Sequence, residues 1–275
     1  MPELPEVETV VRALRQTLVG RRISAVHVRH APSVAGTPAP PDCVRGLRVQ
    51  RVERLGKFIV IGLEAAQEIA VHLRMTGRMS VVPRGVRDPD REPYVRVWFA
   101  LDGGALLLVF SDVRTFGRVW CGPAQTMQAM LRSRLGPDPL VLDTAVFVRA
   151  LRARRGRLKT LLLNQKFVAG IGNIYADEAL FAARLHPLTE ARRVNAKDAA
   201  RLHRAIKRVL NAAIAAGGTT IADFVRPDGQ TGWFQRKLRV YGRDGEACRR
   251  CGAAIKRIVV GQRGTWFCPR CQRKR

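Results

Sequence analysis

The sequence predicts an α+β chain of two domains. The first is an N-terminal β-sandwich with a leading helix. The second is a C-terminal helical domain ending in a four-cysteine zinc hairpin. Three observations carry this reading. Short apolar and β-branched runs crowd residues 23–121, joined by turn signals such as Asp102-Gly103-Gly104. Past Gly136-Pro137-Asp138-Pro139 the texture turns helical. Near the C-terminus, Cys248, Cys251, Cys268 and Cys271 are spaced Cys-x2-Cys-x16-Cys-x2-Cys.

The leading helix rests on residues 9–18, where Val10, Ala13, Leu14 and Leu18 recur at helical spacing. It starts behind Pro5, with Glu6 and Glu8 in the first turn, where the helix dipole favours acids. Strands are expected over 23–29, 47–53, 58–63, 68–75, 95–101, 105–111 and 117–121, a density that suggests a sandwich or barrel. Residues 31–41 and 83–93 read as surface loops. Helices are expected over 144–154, 158–165, 173–184 and 196–216, the last stopped by Gly217-Gly218. The expected boundaries are 1–135 for the sandwich, 136–144 for the linker, 145–235 for the helical domain and 236–275 for the hairpin. No internal repeat is visible.

Four thiolates at this spacing close a tetrahedral shell around one zinc ion. The intervening residues 252–267 read as a hairpin turning at Gly261-Gln262-Arg263-Gly264. So small a unit takes its folding energy from the metal. A closed shell leaves no open position for substrate, which makes the zinc structural and argues against a zinc-dependent nuclease.

The chain carries 49 basic and 22 acidic residues, a formal charge of +27. Such a field attracts a polyanion. An acidic membrane surface is the rival, but no basic amphipathic helix stands apart from globular sequence, and no apolar run approaches the roughly 20 residues that span a bilayer. Nine of the basic residues, Arg275 among them, lie between 249 and 275, which makes the hairpin suited to gripping nucleic acid. The opening residues carry no charged-then-apolar leader. Cys43 and Cys121 show no disulfide framework, which suits a reducing cytoplasm.

Three further places can carry chemistry. Removal of Met1 would expose Pro2 as a secondary amine with a pKa near ~8, able to attack an electrophilic carbon. Glu3 beside it can move protons; the same residues also make an ordinary helix start. Gly170-Ile171-Gly172-Asn173-Ile174-Tyr175 opens a helix whose N-terminal N–H groups suit a phosphate, or serve as a plain Gly-Asn helix entry. Arg74-Met75-Thr76-Gly77 ends a strand, and Asp112 to Gly117 forms a turn. There Met75 and Phe116 are either wedges or core residues, and Arg114 is a candidate donor to a base edge.

Taken together the chain resembles the bacterial formamidopyrimidine-DNA glycosylase family, which repairs oxidised purines, from end to end. The resemblance rests on Pro2-Glu3-Leu4-Pro5-Glu6-Val7-Glu8-Thr9, Gly56-Lys57-Phe58, Gly172-Asn173-Ile174-Tyr175-Ala176, Gly217-Gly218-Thr219-Thr220, Val240-Tyr241-Gly242-Arg243, and the cysteine hairpin with Arg263-Gly264-Thr265. It implies a β-sandwich, a helix–two-turn–helix domain and a zinc hairpin, with damaged double-stranded DNA across the cleft and the protein acting as a monomer. By the same resemblance Pro2 is the nucleophile at C1′, Glu3 the acid/base group, and Lys57 a phosphate contact and proton donor. Met75, Arg114 and Phe116 fill the gap left by a flipped base. Lys159, Asn173 and Arg263 hold flanking phosphates. Glu6, Thr219 and Thr220 surround the extruded base.

One departure is visible. The family often carries a Lys-His-Asp-His-like stretch before the strand at Val95, where this chain reads Arg91-Glu92-Pro93-Tyr94. The related pyrimidine-specific enzymes usually show Gly where this chain has Leu4. A catalytically silent relative would be expected to lose Pro2, Glu3 or Lys57, and all three are present. His72 is expected either to serve a phosphate or to pack.

Overall fold

In a computed structural model of the chain, residues 1–86, 88–220 and 232–274 are described. Arg275 and residues 221–231 of the expected helical domain lie outside them. The chain divides into two compact units, Met1–Arg134 with Gly217–Trp233, and Leu135–Ala216 with Phe234–Arg275. Residues 217–220, expected within the helical domain, cluster with the first unit. The physical reason is a buried bond: the Thr219 N–H donates to Glu6 Oε1 at 2.7 Å.

The first unit opens with α1, Leu4–Leu18. Its Val7, Val10, Val11, Leu14 and Leu18 recur at helical spacing and are at most 2 % exposed. Each side chain so buried stabilises the fold by about 1.5–3 kcal/mol. The strands are β1 (Ile23–Val28), β2 (Val49–Leu55), β3 (Phe58–Leu63), β4 (Gln67–His72), β5 (Gly77–Pro83), β6 (Val95–Leu101), β7 (Leu106–Asp112) and β8 (Arg118–Pro123). They form two antiparallel sheets, β1-β6-β7-β5 and β2-β3-β4-β8. Alternate residues of both sheets meet α1 in one core, Ile59, Ile61 and Val71 from one and Val97, Phe99 and Phe110 from the other. The other face of β6 and β7 buries a smaller cluster around Trp98, Ala100, Leu107 and Val109.

Two elements differ from the sequence reading. The strand expected over 68–75 ends at His72, and a new strand, β5, begins at Gly77. Its inward Met79 is followed by Val81, Val82 and Pro83, so alternation alone does not reveal it; seven paired positions with β7 hold it in place. A short helix α2, Ala124–Arg132, follows β8 and buries Met127 and Leu131, an i, i+4 pair too brief to register as a period.

In the second unit α3 is Thr144–Arg152, α4 Leu158–Leu163, α5 Asn173–Ala182 and α6 Ala196–Ala215. Asp143 caps α3 by accepting from the N–H groups of Ala145 and Val146, and Asn195 caps α6 through Asp198 N–H. Helix α5 buries seven successive residues, Tyr175 to Phe181, and is the centre of this unit. Strands β9 (Lys256–Val260) and β10 (Arg263–Phe267) form the hairpin. Among the described residues no helix is long and apolar enough to cross a membrane.

Topology brings two turns of the first unit side by side. Chain passage from β4 to β5 and from β7 to β8 crosses between the sheets at the same end, because His72 pairs with Arg118 in one sheet and Gly77 with Asp112 in the other. The first crossing is tight: Gly77 N–H donates to Leu73 O at 2.9 Å. A Cβ on Gly77 would stand 2.4 Å from that backbone oxygen. Gly77→Ala is therefore expected to lower stability by about 1–3 kcal/mol, the usual cost of forced overpacking. Urea unfolding measures it, and an unchanged midpoint would show that the turn yields.

Candidate functional site

The N-terminus is organised by one carboxylate. Glu3 is the N-cap of α1, and its N–H donates to Glu6 Oε2 at 2.8 Å, completing a capping box with Pro in the first turn. The other oxygen of Glu6 accepts from Thr219 N–H. Glu6 is 2 % exposed, so both oxygens act on backbone rather than on solvent. Gly218 allows this approach: its φ is +85°, and a Cβ there would lie 3.0 Å from Glu6 Oε1. Thr220 Oγ1 accepts from Gly232 N–H at 2.9 Å. The structure thus brings Glu3, Glu6, Thr219 and Thr220 into one bonded assembly, with Pro2 buried beside it.

Lys57 sits in the β2–β3 turn and is buried at 6 % exposure. Its charge falls on His72 of β4. Burial, then the charges of Arg74 and Lys57, push the His72 imidazole down to about 3. Its Nδ1 accepts from Arg74 N–H at 3.0 Å, and its ring meets Phe58 edge-on at 4.7 Å. His72 is therefore neutral in this fold and packs against Phe58.

Met75, Arg114 and Phe116 are exposed on the two adjacent crossing turns, Met75 at 40 % and Phe116 at 56 %. Beneath them lies Asp112, 1 % exposed. Its Oδ1 accepts from the Thr76 hydroxyl and from Arg114 N–H, and its Oδ2 from Gly117 N–H at 2.7 Å. Arg74 and Thr115 are held at φ +53° and +58°. Such left-handed conformations cost about 1–3 kcal/mol each and persist only when their surroundings enforce them. Asp112 and Thr76 were not singled out from sequence; the readable signal is an acid at a strand end two residues before a basic turn residue. Arg91, in the departure noted above, is exposed and pairs with Asp88 at 3.2 Å.

In the second unit, Asn173 opens α5 after Gly170, whose φ is +88°. Gln165 fixes the approach: its Oε1 accepts from Gly170 N–H and its Nε2 donates to Leu163 and Ile171 carbonyls. Asn173 Nδ2 donates to Gly264 O at 2.9 Å, joining the helix start to the hairpin and leaving its second N–H for a further acceptor. Arg263 is exposed in the same hairpin turn.

Lys159 is placed differently from the expectation. A phosphate contact needs a reachable ammonium, yet this side chain is 0 % exposed. Its Nζ donates to Asp177 Oδ1 at 2.6 Å and to Asn173 O at 3.0 Å. Asp177 Oδ2 accepts from Trp266 N–H. Burial pushes the Asp177 carboxyl up against the opposing pull of Lys159. The pair is a buried clamp that holds both the helix start and the hairpin.

The four cysteine sulfurs lie within 4.8 Å of one another. A tetrahedral zinc with bonds of about 2.3 Å sets its sulfurs about 3.8 Å apart, so the cluster fits one ion with modest contraction. Backbone N–H groups of Arg250 and Cys271 already point at Cys248 and Cys268 sulfurs. All the described ligating groups there are thiols, which makes the site structural.

Three family models match the chain: the formamidopyrimidine-DNA glycosylase N-terminal domain over residues 1–119, its H2TH domain over 135–225, and the zinc finger found in FPG and IleRS over 245–273. A formamidopyrimidine-DNA glycosylase of Herpetosiphon aurantiacus is 44 % identical, with 99 % of this chain and 100 % of that one covered. One from Heliobacterium modesticaldum is 43 % identical at the same coverage. The crystal structure of the MutM (Fpg) protein from Thermus thermophilus superposes with a TM-score of 0.88 at 40 % identity, covering all of both chains. Lactococcus lactis Fpg in complex with Fapy-dG containing DNA gives 0.89 at 35 % identity, covering 99 % of this chain and 100 % of that one.

Two outcomes follow from the geometry. Lys159→Met, which strands a buried carboxylate, should cost about 3–5 kcal/mol, and adding Asp177→Asn should recover most of it. If Lys159→Met unfolds like the parent but loses DNA affinity, the lysine is a surface phosphate ligand after all. For His72, the native state excludes a proton that the unfolded chain binds below its ordinary 6.5. Stability should therefore fall as pH drops from 6.5 toward 3. His72→Asn keeps an acceptor for Arg74 and should flatten this slope by about 1.4 kcal/mol per pH unit. Urea titrations at pH 6.5 and 4.5 compare the two; parallel slopes would mean that His72 is protonated in the fold.

Proposed function

The chain belongs to the formamidopyrimidine-DNA glycosylase family of base-excision repair enzymes, and from that membership we propose how its own residues act on damaged DNA. It excises oxidised purines, 8-oxoguanine and formamidopyrimidines, and then cuts the strand as an AP lyase. The protein works as a monomer on DNA in the cytoplasm. The observation that carries the reading is the Glu6 assembly, which fixes Glu3 and the backbone beside Pro2 in a buried setting.

The reaction requires Pro2 to be the first residue, since its nitrogen is otherwise an amide with no available lone pair. The freed amine attacks C1′ of the damaged nucleotide, and the glycosidic bond breaks with its electron pair leaving on the base. Glu3 donates a proton to the ring oxygen as the sugar opens, which gives an iminium linking Pro2 to C1′. Loss of a C2′ proton then expels the 3′ phosphate, and a second elimination expels the 5′ phosphate. Lys57 contacts a phosphate at the reacting nucleotide and supplies a proton.

Extrusion of the base leaves a gap in the stack. Met75 and Phe116 fill it as wedges, and Arg114 donates to O2 and N3 of the orphaned cytosine. The Asp112 staple supports this, because a wedge works only on a stiff mount. Adenine offers N1 beside a donor that repels a guanidinium, a difference of about 1–3 kcal/mol for a bidentate contact. Glu6, Thr219 and Thr220 border the extruded base. Asn173 and Arg263 hold flanking phosphates, with Lys159 as a positioning residue behind them. Zinc supplies a rigid hairpin and takes no part in bond making.

The deciding experiment uses duplex DNA with one 8-oxoguanine, followed by borohydride. A covalent adduct should map to residue 2, and Pro2→Gly should keep binding while losing most excision. Excision opposite adenine should be about tenfold slower or more than opposite cytosine, and Arg114→Ala should flatten that preference. An adduct confined to a lysine would overturn the assignment of Pro2. Faster removal of thymine glycol would reassign the substrate to oxidised pyrimidines.

A further inference from the structure

A groove of about 660 Å³ in the second unit lies away from the residues assigned to DNA. Its floor is apolar: Phe181 and Ala182 at the end of α5, Val209 and Ala212 on α6, and Phe234. Its rim carries Arg208, Lys237, Arg239, Arg249 and Arg250, all exposed. Arg250 stands 4.4 Å from the centre of the Phe181 ring, so charge sits directly over the floor.

Among the described residues the rim lacks counter-charge. Glu178 is the one carboxylate among the described lining residues, and it is 3 % exposed and saturated by the backbone N–H groups of Arg239, Val240 and Tyr241. None of the five rim cations forms an ion pair among the described residues. Five like charges around an apolar trough repel one another and attract an anion that brings apolar surface with it.

Nucleic acid fits this description poorly. Asn173 and Gly264, the hairpin contact, are at the other end of α5, nine residues and about 13 Å away along the helix. Arg249 and Arg250 lie at the cysteine end of the hairpin, separated from the Arg263 turn by strands of five residues, about 17 Å. Phosphates would neutralise the rim and leave the floor bare.

We propose that this groove docks a partner protein through a flexible acidic segment carrying an aromatic or branched apolar residue. The acidic side chains meet the rim, and the apolar side chain covers Phe181, Val209 and Phe234. The docking surface does not depend on the glycosylase mechanism, so the two can fail separately.

The test is fluorescence polarisation of the full-length, zinc-loaded protein with a dye-labelled peptide of four aspartates followed by Leu-Phe. Two control peptides replace either Leu-Phe or the aspartates with serine. The complete peptide should bind, and each control should bind about tenfold more weakly, with affinity falling as salt rises. The double variant Arg208→Glu/Lys237→Glu, altered at two exposed positions outside the catalytic and DNA-contact sets, should also lose about tenfold. Its excision of 8-oxoguanine should be unchanged, and saturating duplex DNA should leave the peptide bound. Failure of the complete peptide to bind, equal binding of either control, or equal binding by the double variant would overturn the proposal. Displacement of the peptide by duplex, or loss of DNA affinity in the double variant, would assign the groove to nucleic acid instead.

Discussion

The buried carboxylate of Glu6 is the constraint on which the first unit depends. A carboxylate taken out of water must be fully bonded or it destabilises the fold. Glu6 meets that demand by accepting from the backbone at residue 3 and at residue 219. One group therefore sets the entry angle of α1, the position of Glu3 and the placement of the chain after α6. The neighbouring glycine is required both by its φ and by its closeness to this oxygen. The arrangement of residues 3, 6 and 219 is in this sense a by-product of satisfying one charge.

The same device recurs. Asp112 holds two turns, Asp177 the start of α5 and a hairpin strand, and Glu178 three successive N–H groups. Glu68, fully buried, accepts from Arg51 and Gln128. In a chain with 22 acids and 49 bases, several of the acids are thus held inside as hydrogen-bond acceptors, most of them to backbone. Among the described basic residues only Lys57 and Lys159 are buried. The positive surface and the internal rigidity come from one allocation of charge.

Much of this was legible in the sequence. The two sheets, the helices beyond residue 144 and the cysteine cluster follow from periodicity and spacing, because each signal is local. What was hidden depends on distant pairing. β5 exists because Gly77 meets Asp112, and the sequence between residues 73 and 83 has no clear alternation of its own. Residues 217–220 follow a helix in sequence but bond into the unit of residue 6. By the resemblance Lys159 reads as a phosphate contact, and only the structure shows it buried against Asp177, eighteen residues on. The resemblance located Met75, Arg114 and Phe116; why they share an edge is a matter of sheet register, which one sequence does not display.

The first unit is discontinuous along the chain, and this has a consequence for biosynthesis. Glu6 leaves the ribosome 213 residues before Thr219 does. At roughly 5–20 residues per second, that interval lasts roughly 10–40 s. During it the Glu6 oxygen that Thr219 will occupy lacks that backbone donor. Once residue 219 emerges, its N–H supplies the second bond to Glu6. The order of translation thereby leaves Glu6 half-satisfied until residue 219 has emerged, so this bond is among the last links of the first unit to form.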